Sequence, residues 1–543
     1  MDNLFFDRRT KELSFTSSRK GNPVHSAIRI PDNRDSHVLL HRADSSGLLS
    51  QTPRVYFPLW GGRLMNDASS RRHFIKTAAV GLGVIGAHSG SLAQLEKSTD
   101  GSDPRSDISV WVTAGEKRFS ADTPIHWQKT GGNTAGDVVQ LDPQKTYQEI
   151  LGFGGAFTDS ACYMFNQLDE GTRERLFHEL FHPSELRLNV CRTCIGSSDC
   201  SVYPYGYDGG VEDRQLARFS IAHDHEYILP ILRQARQFNP DLFLFSSPWS
   251  PPEWMKWNGS MSGGSMSRKY LGDYAQYILR FLQAYASEGV PINAITCQNE
   301  VDTDQNGQMP ACLWAQEAEV EFVGNHLGPL LQSAKLPTKI WILDHNYNLW
   351  GRAVCELEDR DLRQYVGGVA WHCYGGTADM IGKVHQEFPD VPMHFTEGGG
   401  LITDPDYNND WTKWAAVFGA ALRNWCCSVT AWNLALDESG GPKIGPYPCA
   451  PMLTIQSRSK QVGRTGLYWA MAHYARKIER GAVRIDSQTQ AKDLEHAAFN
   501  NPDGQTVLVL ANSGALRTLR LRLGRNSSAV TLPENSVATL TWS

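Results

Sequence analysis

Short apolar runs that break off in polar or aromatic residues recur along most of the chain from residue 149. Amphipathic stretches at helical spacing separate several of them. Eight such runs occur, at 149–157, 186–196, 242–250, 292–300, 339–345, 367–374, 392–398 and 428–436. Helical patterning occupies 173–181, 225–238, 269–288, 315–333 and 410–425. Eight strands alternating with helices predict an α/β fold, a (β/α)8 TIM barrel. A doubly wound sheet would want a glycine-rich phosphate loop after its first strand. Residues 152–155 read Gly-Phe-Gly-Gly, which does not fit G-x-G-x-x-G, and no P-loop occurs.

The flanks carry all-β patterning instead. Residues 108–112 and 138–141 precede the barrel; 497–499, 506–510, 516–523 and 537–542 follow it. Asn500-Asn-Pro-Asp-Gly504 is a strong turn among them. A small all-β sandwich built from both termini of the mature chain is expected, with the barrel inserted between. The expected organisation is a linker and first sandwich strands at 94–148, the barrel at 149–475 and the remaining sandwich at 476–543.

The first 93 residues belong to neither part. Ser69-Ser-Arg-Arg-His-Phe-Ile-Lys76 leads into an apolar stretch over 77–87 and then Ser91-Leu-Ala93. A basic region, a short apolar region and a small-x-Ala site make a signal peptide, placed at 65–93. The paired arginines followed by Phe-Ile-Lys resemble a twin-arginine signal, so export in the folded state, to the periplasm or outside, is expected. Residues 1–64 are rich in Arg and Ser without clear periodicity. Met65 stands where such a signal would start, so 1–64 reads as an over-extended or disordered N-terminus and the mature chain is expected to begin near Gln94.

Composition narrows the classes. Of 543 residues 41% are hydrophobic and 20% charged, as in ordinary globular proteins. The net charge of −6 is uneven: residues 1–93 hold 13 basic and 7 acidic residues, the remainder 39 and 51. An acidic body argues against nucleic acid or an anionic membrane as the main partner. No apolar run reaches 18 residues, so no transmembrane segment is expected. All eleven cysteines lie after residue 161, and a protein folded before export forms in a reducing cytosol, so no disulfide framework is expected. Cys191, Cys194 and Cys200 lack a second Cys/His pair at zinc spacing and read as buried thiols.

Chemistry is sought at the C-terminal ends of the barrel strands. The second run ends near Asp199, the third in Pro248-Trp249-Ser-Pro-Pro252 and the fourth in Gln298-Asn299-Glu300. The sixth ends in His372-Cys-Tyr374, the seventh in Thr396-Glu397-Gly398, and the eighth carries Trp432-Asn433. Two glutamates facing one mouth among aromatics suit glycosidic cleavage, which needs a proton donor and an anion to meet an oxocarbenium-like centre. Aromatic faces stack on sugars while Asp and Asn bind hydroxyls. His372 reads as a support for the site.

At these residues the chain resembles glycoside hydrolase family 30, the acid glucosylceramidase family, over roughly residues 145–480. GFGGAFTD at 152–159, RTCIGSSDCS at 192–201, SPWSPP at 247–252, Gln298-Asn-Glu300, WHCY at 371–374, FTE at 395–397, WNLAL at 432–436 and GGP at 440–442 carry the likeness in order. The resemblance implies a retaining β-glycosidase whose sandwich is assembled from both termini. It implies Glu300 as acid/base and Glu397 as nucleophile. It places Asn299 on the sugar 2-hydroxyl, Asp199 and Trp249 on hydroxyls across the ring, Tyr374 beside the nucleophile and Trp432 on the glycone wall.

Such chemistry requires Glu397 ionised and Glu300 protonated, so the Glu300 pKa is expected to be raised. Glucosylceramide-like β-glucosides are the expected substrate; β-1,6-glucan or a β-xyloside are the alternatives within the family. A silent carbohydrate-binding protein would have lost a glutamate or Asn299, and all three are present. No metal or organic cofactor is called for. Three departures bear on substrate: Cys200 where relatives often carry Phe, Lys443 where glucosylceramidases commonly place an Asn, and the glycines 398–400.

Overall fold

The computed structural model describes the backbone of residues 3–7, 12–19 and 22–29, and residues 107–129 and 136–543 with their side chains. The chain divides into two units, 1–96 and 97–543. In the first, Asn3–Asp7, Glu12–Arg19 and Asn22–Arg29 form an antiparallel sheet in chain order. The sequence predicted no element there; its only strand signal is the brief apolar–polar alternation at 13–16. The signal peptide at 65–93 and the start near Gln94 lie outside the described residues.

The second unit holds a closed barrel of eight parallel strands. They are Gly152–Phe157, Val190–Ile195, Phe243–Pro248, Ala294–Thr296, Lys339–Asn346, Val366–His372, Met393–Glu397 and Cys426–Asn433. Each pairs with the next in the chain, and the eighth closes on the first. Nearly all their residues are buried, as helices outside and packed side chains inside require. Val190, Phe245, Ala294, Trp341 and Ala370 plug the lower end of the barrel. The glycines of the first strand permit its closeness to the second: a Cβ on Gly154 would fall 1.8 Å from the Val190 carbonyl oxygen.

Helices cover the outside where the pattern predicted them: Glu170–Phe181, Ile228–Phe238, Leu271–Ser287 and Trp411–Arg423. The stretch predicted over 315–333 is broken into Gln316–Glu321, a π-helical turn Phe322–Leu327 and Gly328–Ser333. Trp350–Glu358 and Asp379–Glu387 were not predicted. Each is nine residues long, shorter than the window of about 11–18 residues over which a helical period is read.

The all-β part is one ten-stranded sheet that takes strands from both sides of the barrel. Ser536–Trp542 lies between Ile108–Ala114 and Thr506–Asn512, and Val138–Glu149 lies between Val483–Thr489 and Arg517–Leu523. The sheet folds over a core that includes Ile108, Val112, Leu508, Leu519, Val530 and Leu540. The helix Gly466–Ala475 ties it to the barrel. Its buried His473 hydrogen-bonds Thr539 and Thr113 through its two ring nitrogens, each at 2.8 Å.

Candidate active site

The mouth of the barrel, formed by the C-terminal ends of its strands, opens into a cavity of about 490 Å³. Asp199, Trp249, Asn299, Glu300, Tyr374, Glu397 and Trp432, all singled out from sequence, line it. His372 does not line it; it lies fully buried directly beneath. Lys443 is half-buried and donates to the Gly445 carbonyl at 3.1 Å, away from the lining.

A polar layer runs across the barrel below the cavity. Arg192, mid-way along the second strand and wholly buried, holds it together. Its guanidinium donates to Glu397 Oε2, to Asn299 Oδ1 at 2.8 Å, to Asp344 Oδ2 at 2.6 Å and to Ser247 Oγ at 3.1 Å. The flat cation also lies 4.7 Å from the Trp249 ring and 5.5 Å from Trp432, and the two indoles stack with centroids 5.1 Å apart. Asp344 accepts further bonds from the hydroxyls of Ser247, Thr296 and Thr396, each at 2.8 Å. With His372 of the sixth strand on Asp344, every strand from the second to the seventh contributes to this layer, the seventh through both Thr396 and Glu397.

Sequence reasoning assigned no role to Arg192 or Asp344. Asp344 follows Leu343 with φ values of 47° and 72°, both left-handed, and the strand register slips between Leu343 and His345. This bulge lets Asp344 face the layer and His345 face the cavity, although neighbouring residues of a regular strand point oppositely. The Leu343 amide, freed from the ladder, donates to buried Glu319 at 3.0 Å. The Asp344 carbonyl accepts the Glu300 amide at 3.0 Å, and Glu300 itself is left-handed at φ 54°. A non-glycine residue held there stores backbone strain, a feature that clusters at functional sites.

His372 spans the two glutamates. Its Nδ1 is 3.4 Å from Glu300 Oε1, and its Nε2 is 3.0 Å from Asp344 Oδ1 and 4.0 Å from Glu397 Oε2. Burial opposes its charge, but Glu397, Asp344 and Glu300 outweigh burial and raise its pKa to about 9. It is therefore an imidazolium at neutral pH. A raised folded-state value stabilises fully below the unfolded value near 6.5, and that stability is lost as pH rises through 9. The melting temperature is expected to fall over that interval, and His372→Gln to flatten the fall; an unchanged slope in the variant would show that another group carries it.

The two glutamates depart from expectation. Burial pushes Glu300 up, but the His372 hydrogen bond and charge, His345 and the Gln305 amide at 2.6 Å outweigh it and hold Glu300 below the usual carboxylate value. Burial raises Glu397; His372 and Arg192 offset this in part, while Glu300 and Asp344 add to it. The sequence placed the raised pKa on Glu300. The reversal follows from the burial of Glu397 and the like charges of Glu300 and Asp344 beside it, whereas Glu300 takes the His372 hydrogen bond. The carboxylate of Glu397 nevertheless keeps two donors, Arg192 on Oε2 and the Tyr374 hydroxyl on Oε1 at 3.0 Å. Burial, with Glu397, lifts Asp199 to about 7.

The rim adds residues that no motif announced: Thr303, Gln305, Met309, Leu401, Tyr447 and Cys449. Tyr447, from the loop after the eighth strand, donates to Gln305 Oε1 at 3.1 Å, across the mouth from the fourth. These residues sit in loops, one short 3-10 turn and the two-residue strands Gly400–Leu401 and Cys449–Ala450, all too short to carry a periodicity, so no sequence pattern could have found them.

Comparison with known proteins places this arrangement. Residues 150–478 match the glycosyl hydrolase family 30 TIM-barrel domain, and 481–540 match the glycosyl hydrolase family 30 beta sandwich domain. The chain is 33% identical to an endo-1,6-beta-D-glucanase of Neurospora crassa, over 73% of this chain and 86% of that protein. It is 28% identical to lysosomal acid glucosylceramidase of Mus musculus, over 72% and 79%. The solved structure of the endo-beta1,6-glucanase BT3312 superposes with a TM-score of 0.72 at 28% identity, covering 80% of this chain and 99% of that one.

Proposed function

Since the chain belongs to glycosyl hydrolase family 30 and is a glycoside hydrolase, we propose that it is a retaining β-glucosidase acting on glucosylceramide-like β-glucosides. Glu397 is the nucleophile and Glu300 the acid/base. The observation that carries this reading is the convergence of Glu300 and Glu397 on one cavity, with the His372 imidazolium within 4.0 Å of both.

Attack on the anomeric carbon needs an anion, and Arg192 and Tyr374 both donate to the Glu397 carboxylate. Release of the aglycone needs a proton on Glu300. Two carboxylates this strongly linked titrate as a pair. In the empty pocket burial raises Glu397, while His372 holds Glu300 low. A bound glycoside strips water from both carboxylates. Glu397 keeps its direct donors, whereas Glu300 depends on a loop glutamine and on a 3.4 Å contact with His372, so desolvation moves the proton toward Glu300. Once Glu397 is glycosylated its charge is gone, and Glu300 returns to a base that activates water. Asn299, whose Oδ1 is occupied by Arg192, presents its amide nitrogen to a sugar hydroxyl. Trp249 and Trp432 offer apolar walls, and Asp199 a carboxyl that donates below about pH 7 and accepts above it.

A second reading, endo-cleavage of β-1,6-glucan, is favoured by the Neurospora crassa relative and by BT3312. Incubation with glucosylceramide, β-1,6-glucan and xylan separates them. Glucose from the glycolipid alone is the expected result; oligosaccharides from the glucan would replace the first reading by the second. Glu300→Gln is expected to slow substrates with poor leaving groups by about 10²–10⁴-fold and activated aryl glucosides far less. Equal loss on both would remove Glu300 from the acid role.

A further inference from the structure

We propose that Asp199, Cys200 and Cys449 form a site for a thiophilic divalent cation of the zinc class, set in the wall of the cavity so that metal and glycone exclude each other. The exclusion rests on the reading above that Asp199 meets the sugar; the cation site does not.

The two Sγ atoms and a carboxylate oxygen all lie within 4.8 Å of one another. Ligand atoms on one tetrahedral zinc stand roughly 3.3–3.8 Å apart, given zinc–sulfur bonds of about 2.3 Å and zinc–oxygen bonds of about 2.0–2.2 Å. Sulfur, sulfur and carboxylate oxygen suit zinc or cadmium and not a hard oxygen-seeking cation.

The three residues come from distant parts of the chain and are held together by backbone. The Ile444 and Gly445 amides, in the loop leading to Cys449, both donate to the Asp199 carbonyl, at 2.8 and 2.9 Å. Cys200 Sγ already lies 3.6 Å from Asp199 Oδ2, and the Asn433 amide donates to the same sulfur at 3.3 Å. That donor orients the sulfur.

A second observation points to a ligand. Asp199 is 6% exposed, and its Oδ1 has no hydrogen-bond partner in the structure. A buried carboxylate oxygen without a partner is costly and marks a place for a cation or a donor. Asp199 and Cys449 line the cavity while Cys200 lies behind them, wholly buried. Three protein ligands therefore close one side of the site, and the fourth position faces the cavity, open to water. Binding releases one proton from each thiol that is protonated beforehand.

Cadmium reports on the site because cadmium–thiolate bonds absorb in the ultraviolet. The reduced full chain, titrated with Cd²⁺, is expected to bind one ion with that absorption, to lose it in Cys449→Ser and to keep it in Cys355→Ser, which alters the one exposed cysteine. Cys449→Ser binding Cd²⁺ as tightly as the parent overturns the site. Cys200 is wholly buried, so failure of Cys200→Ser to fold leaves the Cys449 test standing. In turnover, Zn²⁺ is expected to raise KM at least tenfold with little change in kcat, and to do so far more weakly on Cys449→Ser. Cadmium bound at Cys449 with hydrolysis indifferent to zinc would overturn the exclusion, and with it the placing of Asp199 against the glycone.

Discussion

Glu397→Gln is expected to lower kcat by at least about 10⁴-fold on every substrate the enzyme accepts, while the variant folds and melts within a few degrees of the parent. The amide keeps the shape of the side chain and can accept from Arg192 through its one oxygen while its NH2 donates to the Tyr374 hydroxyl, but it cannot attack carbon. Because the carboxyl of Glu397 is raised by burial and by the charges of Glu300 and Asp344, neutralising it removes repulsion as well as attraction, so stability changes little. Kinetics on an activated aryl glucoside, with thermal unfolding alongside, check both halves. A variant retaining more than about one per cent of turnover would take Glu397 out of the nucleophile role.

The second large effect belongs to a residue that does not line the cavity. Arg192→Met is expected to cost about 3–5 kcal/mol of stability as well as most activity, because Asp344 and Glu397 then remain buried without their cation. At roughly 2–4 °C per kcal/mol for a domain this large, the melting temperature falls by about 10 °C. Removing one of the stranded charges is expected to restore much of this: Arg192→Met with Asp344→Asn melts higher than Arg192→Met alone. A single variant as stable as the parent, or a double variant less stable than the single one, would contradict the account of the layer as a charge-matched network. His372, whose imidazolium also faces Asp344, sets how much of the lost charge balance is recovered.

Particular residues show where the sequence was readable. The glutamates, Asp199 and the tryptophans stand at the ends of apolar runs, and barrel topology turns every run end toward one mouth, so a local pattern was enough to gather them. Arg192 lies inside a quoted motif, yet a strand interior gives no sign of whether an arginine faces core or solvent. Asp344 adjoins His345, and strict alternation would send one of them away from the site. Only the left-handed pair at Leu343 and Asp344 brings both inward. The helices Trp350–Glu358 and Asp379–Glu387 escaped because each is only nine residues long, shorter than the window of about 11–18 residues that a helical period needs.

The order of strands, the helices that cover them and the residues at the mouth follow from periodicity and from where each run stops, which are properties of neighbours in the chain. The charge states at the mouth do not. Arg192 and Glu397 are 205 positions apart, Arg192 and Asp344 are 152, and Glu300 and His372 are 72. Coulomb energy depends on the distance between groups and on the water excluded from between them, and both exist only once the barrel has closed. The residue pattern alone picks out the candidate pair of carboxylates, while burial and neighbouring charge, which exist only in the closed barrel, shift the two in opposite directions.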